Sequence, residues 1–143
     1  MTTQRQKFDR IAWRQIRKLR APRGAKPEGP LPLDFVDLMQ QILDGNSWDV
    51  ALAEFLDNFY FYKSPSFFSK EPPVAFPKHR RAFLAAMAEY LCRRFKLRCP
   101  AWTNKPEYFL ETEWAPDKYF RGRSAPEFKR HGIRYAARNL IRL

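Results

Sequence analysis

The sequence predicts an all-α protein, a small single-domain helical body with proline-rich ordered loops and a basic N-terminal helical arm. Three observations lead there. Apolar residues recur at three- and four-residue steps in several segments, the signature of one buried helical face. No stretch of useful length alternates apolar and polar residues as a half-buried strand would. The 12 prolines and 5 glycines of this 143-residue chain fall mainly between the periodic segments, where they break regular structure. A chain of this size hides roughly 68 to 70% of its unfolded surface, so a core forms without staples.

The first element runs from Gln4 to Arg20, with Phe8, Ile11, Ala12, Ile16 and Leu19 on one face and Arg5, Arg10, Arg14, Arg17, Lys18 and Arg20 over most of the rest. The segment "APRGAKPEGPLP" that follows reads as a linker. Residues 1–30 are therefore a basic amphipathic helix with a Pro/Gly linker, and residues 31–143 are the helical core domain.

Within that core, Leu33 to Leu43 predicts a short helix with Phe35, Leu38, Met39 and Ile42 inward and Gly45 just past its end. Ser47 then caps a second helix, "WDVALAEFLDNFYFY", which places Val50, Leu52, Phe55, Leu56, Phe59 and Tyr60 inward and Asp49, Glu54 and Asp57 in water. Pro65, Pro72, Pro73 and Pro77 make "KSPSFFSKEPPVAFP" an ordered loop. The longest helix spans Lys78 to Phe95 on a stripe of Phe83, Leu84, Met87, Leu91 and Phe95, with Ala85, Ala86 and Ala88 allowing close approach of a neighbour. "NKPEYFL" and "SAPEFKRHG" each offer a cap, Asn104 or Ser124, and a Glu three residues later, the capping-box spacing of two short helices. Gly132 suits the left-handed residue ending the second. Tyr135 to Leu143 fits a last helical turn or a strand-like tail equally well. Trp102, Tyr108, Phe109 and Trp114 lie in a segment too rich in proline for periodic burial, and are expected to clamp a loop against the long helix.

The net charge of +12 is unevenly spread. Residues 1–30 carry nine basic and two acidic groups, +7; residues 31–77 carry two and seven, −5; residues 78–143 carry sixteen and six, +10. Two basic regions flanking an acidic one point to a polyanionic partner, because phosphate contacts release counterions whatever the base sequence. In the N-terminal set, Arg5, Arg10, Trp13, Arg14, Arg17, Lys18, Arg20 and Arg23 combine guanidinium groups for a phosphate backbone with an aromatic that can stack on a base. "RRFKLR", "RGR" and "KRHGIR" are further basic segments that could extend the set. No apolar run approaches the length of about 18 residues that a membrane helix needs, and the N-terminus lacks a secretory apolar region, so a soluble cytoplasmic protein is expected.

Candidate chemistry is sparse. Cys92 and Cys99 match no metal or redox spacing; Cys92 reads as a small buried apolar group, and Cys99, next to Arg98, as a thiol with some thiolate character. His79 and His131, each among Arg or Lys, read as exposed surface histidines. Glu111 and Glu113 read as solvated acids. Asp117, Glu127 and Lys129 echo the two carboxylates and lysine of metal-dependent nucleases, but that chemistry requires adjacent strands, whereas Glu127 is placed on a helical cap. No glycine-rich phosphate loop occurs. The expectation is a non-enzymatic binding protein with no cofactor and no metal.

Pro100-x-Trp102, Pro106, Phe109-Leu110, Trp114-x-Pro116 and then Ser124-x-Pro126-x-Phe128-x-Arg130-x-Gly132-Ile133 resemble the C-terminal half of a group of uncharacterised bacterial proteins, over about residues 50 to 143. Glu113, where that pattern has Pro, the shorter connection to Ser124, and Arg134, where it has an apolar residue, depart from it. The resemblance implies an antitoxin-like or regulatory adaptor, a partner of nucleotidyltransferase-type or other toxins, and carries over no catalytic residue. The alternative from charge alone is a sequence-nonspecific nucleic-acid-binding protein, and the metal-dependent nuclease is the least favoured reading.

Overall fold

The computed structural model describes residues 33–141, and these are all-α: four α-helices joined by 3-10 turns, with one isolated parallel bridge, Trp114 to Ile133, as the only β-type pairing among them. The predicted basic helix over Gln4 to Arg20 lies outside the described residues. The described chain divides into two compact units, 33–67 and 68–141.

In the first unit, helix α1 (Phe35–Leu43) starts where the Asp34 side chain accepts the Asp37 N–H at 2.9 Å. It ends in a Schellman motif, Asn46 N–H to Gln41 carbonyl and Gly45 N–H to Ile42 carbonyl, with Gly45 at φ 98°. Helix α2 (Trp48–Tyr62) starts as predicted, its Ser47 hydroxyl accepting the Val50 N–H at 3.1 Å. Phe35 stacks on Phe55 at 5.3 Å, and Phe67 meets Phe55 and Phe59 edge-on, so four phenylalanines form the nucleus of this unit. One side chain departs from the pattern: Glu54, expected in water, is 2% exposed. Every residue from Ala51 to Leu56 is buried, so α2 is covered on more than one face, and the single-stripe reading underestimated its burial.

In the second unit, helix α3 (Lys78–Arg94) is the axis. Every residue from Ala82 to Glu89 is buried, and the alanines bring the 101–104 and 106–108 turns and helix α4 (Pro126–Arg130) close against it. Phe128 is fully buried against Phe83 and Tyr135, at 5.6 and 5.2 Å between ring centres. Trp102 donates its indole N–H to the Phe68 carbonyl at 2.7 Å and meets Tyr108 edge-on. Glu71 accepts from both the Tyr108 hydroxyl and the Lys105 ammonium at 2.8 Å, and the lysine hydrogen bond, followed by that of the tyrosine, holds its carboxyl below the usual range.

The two predicted capping boxes do not form. Proline prefers the first helical position, and Pro106 and Pro126 both take it, so the caps are Lys105 and Ala125 and the glutamates fall at the second position, out of capping-box register. The freed cap side chains bond elsewhere: Asn104 accepts from Arg130 at 3.1 Å, and Ser124 accepts the Tyr135 N–H at 3.0 Å. "NKPEYFL" accordingly yields a single 3-10 turn, Pro106–Tyr108. The tail, left open by its sequence, forms the Ala137–Leu140 3-10 turn.

Gly132 ends α4 as expected, at φ 81°, with the Ile133 N–H returning to the Phe128 carbonyl at 2.8 Å. A Cβ here would also sit 3.0 Å from the Leu110 carbonyl oxygen. Gly132→Ala is therefore expected to cost about 1–3 kcal/mol, read as a lowered urea midpoint with unchanged slope.

Candidate functional site

All eight residues of the predicted nucleic-acid-binding set, Arg5, Arg10, Trp13, Arg14, Arg17, Lys18, Arg20 and Arg23, lie outside the described residues. The second basic region, in the 68–141 unit, can be sorted by whether each cation is neutralised. Arg81 pairs with Glu107, Arg93 with Glu127, Lys105 with Glu71, Arg130 with Glu89 and Arg134 with Glu113. Arg94, Lys96 and Arg98, at the end of α3 and just beyond it, are exposed and have no carboxylate partner among the described residues. The same holds for Lys118, Arg121 and Arg123, which surround Tyr119 in the loop before α4. Tyr119 is 75% exposed, with the Lys118 ammonium 5.2 Å from its ring centre.

The local chain explains the first cluster. Arg93 and Arg94 occupy the last turn of α3, where the carbonyl end of the helix favours cations. The chain then reverses through a further Schellman motif, with Lys96 at φ 56° and the Leu97 N–H on the Cys92 carbonyl at 2.7 Å. This turn exposes Lys96 and Arg98. "RRFKLR" is tied to the start of α4 by the Arg93–Glu127 pair at 2.8 Å, and Arg93 and Leu97 from that segment line an open cleft of about 270 Å³ with Glu89, Cys99, Pro126, Glu127 and Arg130, the last of these from "KRHGIR".

Behind this surface lies a polar cluster that the sequence did not disclose. His131, expected on the surface, is 0% exposed. Its Nε2 meets Glu89 Oε1 at 2.5 Å, its Nδ1 meets the Tyr108 carbonyl at 2.8 Å, and its ring stacks on Phe109 at 4.3 Å. The Arg130 guanidinium and the Thr103 hydroxyl donate to the other Glu89 oxygen. A buried carboxylate thus takes one cationic and two further polar contacts, and the histidine is consumed in bracing it. The position of His131 is decided by a glutamate 42 residues earlier in the chain and not by the arginines beside it in sequence.

His79 is half-buried, its ring 4.3 Å from that of Trp114, and burial, then the nearby Arg80 charge, lowers its pKa. Cys92 is buried as expected, and Cys99 is exposed. The hydrogen bond from the Cys92 thiol brings the Cys99 thiol down to about 7, against partial burial; Thr103 helps and Glu89 opposes. The thiolate character predicted from Arg98 is present, but its source is Cys92.

The nuclease-like trio is not assembled as that chemistry requires. Glu127 is held by Arg93 and not by a backbone N–H, Asp117 accepts the Tyr119 N–H at 2.9 Å, and Lys129 projects into solvent from α4. No group of three or more His, Cys, Asp and Glu side chains able to hold a metal ion occurs among the described residues. No described helix is long and apolar enough to cross a membrane. Neither the family models nor the curated proteins nor the solved structures contain a match to this chain.

Proposed function

We propose that this protein is a non-enzymatic binding protein whose ligand is a polyanion of the nucleic-acid class, gripped by its backbone phosphates. The supporting observation is the set of exposed cations without carboxylate partners, Arg94, Lys96 and Arg98 on one segment and Lys118, Arg121 and Arg123 on another. Each neutralised phosphate releases condensed counterions, which favours binding without any base contact. Tyr119, exposed among three of these cations, is the aromatic placed to stack on an unpaired base. The basic arm at residues 1–30, with Trp13, adds +7 to the same electrostatic attraction.

The test is fluorescence anisotropy of random-sequence duplex and single-stranded oligonucleotides over a range of salt. The expected log affinity falls linearly with log salt, by about 0.7–0.9 per phosphate neutralised. Arg94→Gln with Lys96→Gln and Arg98→Gln should shallow that slope by roughly 2–3, and removal of residues 1–26 should shallow it further. Absence of salt-dependent binding at low ionic strength overturns the reading.

A second reading, the adaptor that docks on a partner protein such as a toxin, is favoured by Leu33, Val36 and Leu43. These are 52, 49 and 65% exposed, and their spacing aligns them along one side of α1 and its approach. Co-purification of one stoichiometric protein, lost on Val36→Asp with Leu43→Asp, is its test.

A further inference from the structure

We propose that Cys99 and Cys92 form an oxidisable dithiol, in which Cys99 is the site that reduces a hydroperoxide and Cys92 resolves it to an intramolecular disulfide. The inference is independent of polyanion binding and rests on how α3 ends. Cys92 occupies the last fully buried position of the helix, 1% exposed, and its carbonyl accepts the Leu97 N–H that closes the Schellman turn. That reversal, with Lys96 in the left-handed region, returns the chain along the helix end: the Cys92 thiol donates toward the Arg98 carbonyl at 3.9 Å, which sets the next residue, Cys99, beside the helix end that carries Cys92. Cysteines seven apart, which match no redox spacing in sequence, are thereby made neighbours.

The two thiols are unequal in the way such chemistry needs. Cys99 is exposed at the edge of the cleft lined by Leu97, Pro126 and Arg130, so a small oxidant reaches it. Its sulfur also lies 3.5 Å from the Thr103 hydroxyl. Cys92 is buried, and its hydrogen bond to Cys99 and its desolvation push its pKa well up. The charged groups facing the pair are Glu89, which disfavours the Cys99 thiolate, and Arg130, which favours it, with Arg93 and Glu127 paired across the cleft. Against these the Cys92 hydrogen bond dominates and brings Cys99 down to about 7.

The chemistry balances with a hydroperoxide as oxidant. The Cys99 thiolate attacks the terminal peroxide oxygen, the O–O bond breaks, and the departing alkoxide or hydroxide takes a proton to leave as alcohol or water, giving the Cys99 sulfenic acid. The Cys92 sulfur then attacks the Cys99 sulfur, the S–O bond breaks, and hydroxide leaves as water with the Cys92 proton. Two thiols lose two electrons and two protons, and the peroxide gains both.

The experiment treats the full chain with hydrogen peroxide, followed by intact mass, free-thiol titration and peptide mapping. The expected result is loss of both thiols together, a mass decrease of two hydrogens, a Cys92–Cys99 cross-linked peptide and no covalent dimer. Cys92→Ser should instead accumulate a sulfenic acid at Cys99 that dimedone traps. A measurement on the unaltered chain covers the case in which that variant fails to fold. Iodoacetamide should alkylate Cys99 roughly threefold faster at pH 7 than it does a free cysteine, since the larger thiolate fraction outweighs the lower intrinsic nucleophilicity, with a midpoint near 7. A Cys99 that alkylates like an ordinary thiol, or that oxidises to sulfinic acid or a covalent dimer while Cys92 stays free, overturns the proposal.

Discussion

Replacing Glu89 by Ala is expected to destabilise the protein by about 3–5 kcal/mol, because it strips a buried ionic cluster of the one member that every other member touches. The Glu89 side chain is 9% exposed and accepts from Arg130, Thr103 and the His131 ring. His131 has nowhere else to turn: its other nitrogen is held by the Tyr108 carbonyl and its ring lies on Phe109. Without the carboxylate, the ring nitrogen that faces Glu89 is left without a partner in the core. Arg130, about half exposed, can swing to water, so the histidine carries most of the cost. The readout is urea denaturation, with the midpoint lowered and the slope unchanged.

Removing both ends tests the same claim from the other side. Glu89→Met combined with His131→Phe replaces charge by apolar volume, and the pair should cost less than the sum of the two single changes by about 1–3 kcal/mol. Strict additivity would mean that the two side chains do not depend on each other.

The helices were legible because their signals are local. Ser47 caps α2, Gly45 and Gly132 take the left-handed positions at two helix ends, and Phe83, Leu84, Met87 and Leu91 of α3 are buried, all as the sequence predicts, whereas Phe95, expected on the same stripe, caps the helix and is half-buried. What could not be read is whatever depends on pairs distant in sequence. Glu89 and His131 are 42 residues apart, and neither carries a local mark of burial. Lys96 takes a left-handed position with no glycine to announce it, so the turn that brings Cys99 to Cys92 was invisible. Periodicity also cannot distinguish a helix buried on one face from one covered on several, and Glu54 on α2 was misplaced for that reason. The capping boxes failed for a subtler cause. The motif was present, but proline set the register one residue later than the caps required.

Trp102→Ala is expected to cost about 3–5 kcal/mol, and Trp114→Ala less than about half of that, although both tryptophans lie in one aromatic-rich segment. Trp102 is 7% exposed, meets Tyr108 edge-on, and donates its indole N–H to the Phe68 carbonyl. It ties the start of the 68–141 unit to the turn beside α3, and its removal leaves a cavity as well as an orphaned carbonyl. Trp102→Phe separates these effects: most of the packing survives, and roughly 1–3 kcal/mol is lost with the hydrogen bond. Trp114 is half-buried, between His79 and the Arg80 guanidinium, and the bridge to Ile133 that it anchors is made by backbone atoms that any residue supplies. If these aromatics are scaffold, the order of stability loss follows burial, and Trp102→Phe binds oligonucleotides like the parent at temperatures where it is folded. If they form a platform for a ligand, Trp114→Ala should leave stability nearly intact and weaken oligonucleotide binding by about 1–3 kcal/mol, the value of one stacked base. The exposed aromatic among unpaired cations is Tyr119, so the loss of affinity is expected from Tyr119→Ala and not from either tryptophan.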